Sequence, residues 1–305
     1  MPSLADALHA GPVLLDGGLG TLLADRGHDL SSDLWSARLL LDGPAAIREA
    51  HLAYLRAGAR VLITSSYQVS ADGLAALGRA DETERVLAAS VRLAREARDA
   101  FAAETPAAET ADPVWIAASV GPYGATLGDG SEYTGRYGLD VAALRAWHRP
   151  RLRAIAGSGP DVLAIETIPS LAEVEALAAE LAGLGVPAWL SVTIENGALR
   201  TGEPLREAVA IADASPEIVA VGVNCCAPGE VAGALEVARA ATTKPLVAYP
   251  NSGETWDGAN RCWRGSAELA ESDVAAWLAA GARLVGGCCR IGPEQIAAMA
   301  AMMGR

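Results

Sequence analysis

Residues 218–226 read IVAVGVNCC. Six apolar or small residues run without a polar break, and the run then ends abruptly in Asn224-Cys225-Cys226. A strand with one wet face alternates apolar and polar residues. An unbroken run of this length is what a strand buried on both faces requires. Working outward from it, seven more runs of the same kind occur at 13–17, 59–65, 114–120, 162–167, 188–194, 245–249 and 283–287, each bounded by Gly, Pro, Asn or Asp. Between them lie Ala-, Leu-, Arg- and Glu-rich segments with helical spacing, at 44–57, 82–101, 141–156, 171–184, 205–212, 230–240 and 272–280. Gly58-Ala59 and Gly281-Ala282 each separate a helix from the strand that follows it, and glycine suits the left-handed residue that closes a helix. Eight β-then-α units predict an α/β fold of the (β/α)8 TIM-barrel type, as one domain over residues 1–305, in preference to an open doubly wound sheet. The dinucleotide-binding alternative loses its best signature, because no GxGxxG follows the first run.

Composition narrows the function. The 305 residues are 51% hydrophobic and carry 24 basic against 37 acidic side chains, a formal charge of −13 with no Lys/Arg cluster. Nucleic acids and anionic membranes are bound through cationic patches, so neither is an expected partner. The opening MPSLADALHAGPVLLDGG has no basic segment leading into an apolar one, and no run approaches the roughly 18 apolar residues of a membrane span. Five cysteines, four of them in adjacent pairs, make a poor disulfide framework. They fit a reducing cytoplasm and point to metal or thiol chemistry. Nothing in the sequence fixes an oligomeric state.

In a parallel barrel the chemistry sits on the loops after the C-terminal ends of the strands. Those ends here are Asp16-Gly17-Gly18, Thr64-Ser65-Ser66-Tyr67, Ser119 to Tyr123, Glu166-Thr167, Thr193 to Glu195, Asn224-Cys225-Cys226, Tyr249 to Ser252 and Gly286-Gly287-Cys288-Cys289. Two connections, 122–138 and 251–265, are too long for a minimal barrel and follow strand C-terminal ends, while 103–113 reads as a surface connection before the third strand. Cys225 closes the sixth run and Cys288 and Cys289 close the eighth, so three thiolates can form a tripod around one Zn²⁺ with a fourth position open. Both vicinal cysteines of the last pair can face one ion only if the strand has already turned, which Gly286-Gly287 permits. The alternative is that these cysteines are small buried hydrophobes. Cys226 points away on this reading, and Cys262 lies in a loop. Asp16 and Glu166 each end an apolar strand, where a charge survives only if paired or functional. They could hold the ammonium of an amino acid, although Asp-Gly-Gly is also an ordinary turn and Glu166 could pair with a rim arginine. Tyr67, Tyr123 and Tyr249 fall near strand ends and Trp35 after the first strand; their faces could stabilise a cationic donor or simply pack the barrel mouth.

The ordered series LLDGG (14–18), TSSYQ (64–68), SVGPYG (119–124), GSEYTG (130–135), HRPRL (148–152), ET (166–167), GVNC (222–225), YPNSGE (249–254) and GGCCR (286–290) resembles the homocysteine S-methyltransferases. The likeness runs from about Val13 to Pro293, and its nearest branch uses S-methylmethionine, with S-adenosylmethionine as an alternative donor. The resemblance implies Zn²⁺ held by Cys225, Cys288 and Cys289. It also implies substrate contacts at Asp16, Gly17, Gly18, Tyr67, Glu166 and Asn224, with Asp16 and Glu166 on the amino-acid part of homocysteine. It further implies transfer of a methyl group to the homocysteine thiol, giving methionine. A free alkyl thiol is mostly protonated at neutral pH, and a metal corrects that. Rival readings are the same barrel with betaine or a partner's methylcorrinoid as donor, and a non-catalytic zinc or redox-sensing barrel in which Cys225-Cys226 or Cys288-Cys289 oxidise. Selenium analogues of the acceptor stay open.

Overall fold

The computed structural model describes residues 2–29, 36–104, 112–257, 262–267 and 269–304. Trp35 and residues 105–111 of the connection before the third strand lie outside the described residues. The strands are β1 (Val13–Leu14), β2 (Val61–Ile63), β3 (Trp115–Val120), β4 (Val162–Ile168), β5 (Ala188–Val192), β6 (Ile194–Glu195), β7 (Ala198–Leu199), β8 (Ile218–Asn224), β9 (Leu246–Tyr249), β10 (Thr255–Asp257), β11 (Cys262–Arg264) and β12 (Ala282–Val285). Eight of them form one parallel sheet in the order β1-β12-β9-β8-β5-β4-β3-β2. Its two ends meet through a parallel bridge between Leu15 and Val61. The Arg60 amide donates to the Leu14 carbonyl at 2.8 Å and the Asp16 amide to the Val61 carbonyl at 3.1 Å. The expected (β/α)8 TIM barrel is therefore the observed fold.

The unbroken apolar runs have a simple cause in this geometry. Alternate residues of one strand serve two different cores. Val13, Leu15, Val61, Trp115, Ala117, Val162, Ala164, Trp189, Ala220, Val247 and Leu284 pack together as one buried cluster, the barrel interior. Leu14, Leu62, Ile116, Ala118, Leu163, Ile165, Leu190, Val221 and Val285 belong to a second cluster shared with the helices. Neither set faces water, so neither needs a polar residue.

The seven helices expected from spacing appear as Pro44–Arg56, Thr83–Glu104, Val141–Gly157, Leu171–Leu181, Leu205–Ala214, Pro228–Ala241 and Glu271–Ala279. Additional helices lie at Leu4–Ala10, Leu19–Asp25, Ser36–Asp42, Ala71–Ala75 and Pro293–Met302. The first is a plug. Ser3 and Asp6 cap it reciprocally, Leu4 and Leu8 enter the barrel-interior cluster, and the Trp115 indole donates to the Pro2 carbonyl at 3.0 Å. A seven-residue helix shows too little periodicity to be read from sequence. Expected strands overran at 16–17, 64–65 and 286–287 because the chain has left the ladder there and turned onto the rim. The expected strand 188–194 also runs past its ladder, since Ile194–Glu195 peels off to pair with Ala198–Leu199. The long 251–265 connection carries the antiparallel pair β10–β11, so Cys262 lies in a strand and not in a loop. Among the described residues no helix is long and apolar enough to cross a membrane.

Candidate active site

A cavity of about 330 Å³ opens at the C-terminal ends of the barrel strands. Its lining includes Gly17, Gly18, Tyr67, Ser119, Glu132, Tyr133, Glu166, Thr167, Tyr249 and three cysteines, Cys225, Cys288 and Cys289. Those three sulfurs all lie within 4.8 Å of one another, with Cys289 Sγ 3.9 Å from Cys225 Sγ. Cys225 and Cys288 are joined as a disulfide, with Cα atoms 5.6 Å apart. The rival redox-sensing reading named the two vicinal pairs; the pair that meets is Cys225 with Cys288, because β8 and the turn after β12 converge on the same rim while vicinal side chains diverge. Cys226 is buried in the core between sheet and helices, turned away from the site as expected.

The backbone is built to present these sulfurs. Cys225 takes a left-handed conformation (φ 48°), as do Thr167 (φ 61°) and Arg290 (φ 65°) on the same rim. Non-glycine residues of this kind are strained and persist where their surroundings over-determine them. Cys225 is gripped by its own amide, which donates to the Tyr249 carbonyl at 3.3 Å, and by its carbonyl, which accepts from Thr193 Oγ1 at 3.2 Å. The loop after β9 braces the turn that carries the other two sulfurs. Cys288 donates to the Pro250 carbonyl at 2.7 Å, Cys289 donates to Asn251 Oδ1 at 3.1 Å, and Ser252 donates to the Cys289 carbonyl at 3.1 Å. Arg290 then ties the turn down through Glu254 (3.0 Å) and Asp25 (3.4 Å). Gly17 and Gly18 let the first loop press against it: a Cβ on Gly18 would stand 2.5 Å from the Cys288 carbonyl oxygen.

The carboxylates differ in their satisfaction. Glu166 accepts from the Ser119 hydroxyl on Oε1 and from the Tyr249 hydroxyl on Oε2 at 3.2 Å. Tyr249 in turn accepts from the Trp189 indole at 3.0 Å and lies 2.5 Å from Ser191 Oγ. Burial pushes the Glu166 carboxyl up to about 7 against the pull of those two hydroxyls. Asp16 is fully buried behind Gly17 and is not part of the lining. Its Oδ2 accepts from the Ile63 amide at 2.8 Å, while Oδ1 has no partner. Burial raises its affinity for a proton, and the neighbouring Glu166 charge adds to that. Asn224 also stands behind the wall, with both ends of its amide engaged by Thr167. Of the expected substrate contacts, Gly17, Gly18, Tyr67 and Glu166 thus line the cavity directly. Of the tyrosines weighed with them, Tyr249 lines it too, whereas Tyr123 packs against Tyr137 and Trp147 outside it.

Glu132 and Tyr133, within the GSEYTG stretch, line the cavity without having been singled out. The Tyr133 hydroxyl reaches Cys225 Sγ at 3.9 Å and the Arg200 guanidinium sits 5.5 Å over its ring. Glu132 Oε2 is buried and unpartnered. Their loop, 122–138, is pinned from below. Glu173 Oε1 accepts from the Tyr123 amide at 2.6 Å and lies 2.8 Å from His148 Nε2, and its Oε2 accepts from the Tyr137 hydroxyl at 3.2 Å. Arg151, fully desolvated, donates to the carbonyls of Gly121, Ser66 and Tyr67.

Three sulfurs converging from two strand ends suit a soft metal ion better than a hard one. Burial pushes the Cys289 thiol up to about 12, with the Glu132 charge adding to it, so a cation is what would keep this group ionised. The donor set fits a metal, and the cavity beside it has room for small molecules.

Comparison with known proteins agrees with this geometry. A family model described as homocysteine S-methyltransferase matches residues 13–303. The homocysteine S-methyltransferase of Escherichia coli strain K12 is 46% identical over 296 residues, covering 95% of this chain and 94% of that protein. The crystal structure of the Escherichia coli homocysteine methyltransferase MmuM in a metallated form aligns with a TM-score of 0.86 at 44% identity, covering 96% of each chain. The same protein in an oxidized form aligns at 0.85 and 44% identity, over 95% of this chain and 96% of that one.

Proposed function

The chain belongs to the homocysteine S-methyltransferase family, and from that premise we propose that it moves the methyl group of a sulfonium donor, S-methylmethionine or S-adenosylmethionine, onto L-homocysteine with Zn²⁺ held by Cys225, Cys288 and Cys289. The observation that carries this reading is the juxtaposition of three sulfurs and the Glu166 carboxyl around one small-molecule cavity, with the unpartnered Asp16 oxygen buried behind its Gly17 wall. Zinc is the metal of choice for an all-sulfur tripod, and when bound it supplies a Lewis acid that keeps the acceptor thiol ionised at neutral pH.

The protein's own residues do the rest. Asp16 and Glu166 receive the homocysteine ammonium, Glu166 from the cavity wall and Asp16 through its free Oδ1 behind Gly17, which fixes where the acceptor sulfur lies. Ser119 and Tyr249 hold the Glu166 carboxyl in place for that contact. Tyr67 and Tyr133 border the cavity where a cationic donor would sit. The acceptor thiolate then attacks the sulfonium methyl carbon in line. A new sulfur–carbon bond forms, the donor's sulfur–methyl bond breaks, and its electron pair leaves on a neutral thioether. No general acid is needed, because the leaving group departs uncharged. With S-methylmethionine both products are methionine. The thiols this site needs stay reduced in the cytoplasm, where we place the protein.

Methionine formation from L-homocysteine with each donor in turn tests the reading. Turnover with a sulfonium donor and none with betaine is expected; betaine turnover without sulfonium turnover would reassign the donor.

A further inference from the structure

Two buried carboxylate oxygens at this end of the barrel lack any hydrogen-bond partner among the described residues: Asp16 Oδ1 and Glu132 Oε2. They differ in position. Asp16 follows β1 and lies behind the cavity wall, whereas Glu132 lines the cavity from the loop that follows β3. A buried carboxylate oxygen left unpaired is costly, and such an arrangement is retained where a ligand completes it. The proposed reaction brings two amino acids into this one cavity, and each carries an ammonium. A sulfonium centre has no N–H or O–H with which to satisfy a lone pair, so an ammonium is the group that fits an orphaned carboxylate oxygen.

We propose that Glu132 is a specificity-determining residue that receives the α-ammonium of the methyl donor, leaving Asp16 and Glu166 to that of the acceptor. The assignment rests on the sulfonium-donor reading above and deepens it. The loop carrying Glu132 is positioned for the task. Glu173 and Arg151 pin its base, the Gln68 side chain donates to the Ala125 carbonyl at 3.0 Å, and Asp129 Oδ1 accepts from the Ser131 amide at 3.0 Å. Tyr67 and Tyr133 line the same cavity, so a donor anchored by its ammonium on Glu132 places its sulfonium against aromatic faces next to the sulfur cluster.

The test is donor discrimination in the zinc-loaded full-length protein and in Glu132→Gln, which keeps the side chain's size. Two donors are compared: S-methylmethionine and its des-amino analogue, (3-carboxypropyl)dimethylsulfonium. The wild type is expected to show a donor KM about ten- to a hundredfold lower for S-methylmethionine, the ratio set by one charge-assisted contact. In Glu132→Gln the S-methylmethionine KM rises by the same factor, the ratio between donors collapses toward one, and the homocysteine KM stays where it was. A ratio that persists in the variant, or a rise confined to the homocysteine KM, overturns the assignment. Failure of the wild type to turn over either donor would be failure of the proposed function. Calorimetric binding of S-methylmethionine then still decides the role of Glu132: weakened binding in the variant supports it, and equal binding in both proteins, or none in either, overturns it.

Discussion

Asn224 grips Thr167 with both ends of its amide: its Oδ1 accepts from the Thr167 backbone amide at 2.7 Å, and its Nδ2 donates to Thr167 Oγ1 at 2.7 Å. Both residues are buried, and the clamp holds two left-handed residues at once, Thr167 itself and Cys225, the next residue after Asn224. A side chain committed at both ends acts by positioning its neighbours. Replacing Asn224 with Ala removes two buried hydrogen bonds and leaves the Thr167 amide unpaired, a cost of about 2–4 kcal/mol. The expected result is a lower urea midpoint together with weaker zinc retention, because the backbone that aims Cys225 relaxes. A variant with unchanged midpoint and full zinc content would show that the clamp has no such role.

Glu166 makes the stability of the ligand-free protein depend on pH in a defined direction. Its carboxyl is pushed from 4.5 up to about 7 by burial, so the folded state keeps a proton that the unfolded chain has released. The stability linked to this proton is fully present below about pH 4.5 and is lost as pH rises toward 7, by about 3 kcal/mol in all. Asp16 contributes in the same direction. Denaturation of wild type and Glu166→Gln at pH 5 and pH 7.5 isolates the Glu166 share. The variant should lose less stability between the two pH values than the wild type, and parallel curves would contradict the account.

Gly18 gives a steric prediction that leaves every sulfur in place. Gly18→Ala puts a methyl group against the Cys288 carbonyl and the Thr21 hydroxyl, each 2.5 Å away. The Cys288-Cys289 turn must shift to make room. Zinc per chain after dialysis should fall although Cys225, Cys288 and Cys289 are all present. Full retention would mean that the turn yields freely.

The barrel was legible from sequence because strands that serve two cores must be apolar at every position, as 218–223 is. The grouping of Cys225, Cys288 and Cys289 was legible because the sixth and eighth strands of a barrel end on one rim. What escaped reading was geometry on the rim. That Asn224 turns its amide to Thr167, and that Asp16 stands behind Gly17 instead of beside it, depends on left-handed turns that no apolar pattern encodes. Glu132 and Tyr133 sit in a loop whose course is decided by contacts far along the chain, at Glu173 and Arg151. The rival redox-sensing reading named the vicinal pairs Cys225-Cys226 and Cys288-Cys289, whereas adjacency in space joins Cys225 to Cys288.

The central claim, that Cys225, Cys288 and Cys289 together hold the zinc on which methyl transfer depends, is tested most directly on reduced protein. Zinc content and methionine formation from homocysteine and S-methylmethionine are measured side by side in the wild type and in Cys288→Ala. The account predicts one zinc per wild-type chain, and loss of both zinc and turnover in the variant. Turnover that survives in the variant, or in wild-type protein stripped of metal by a chelator, would contradict it.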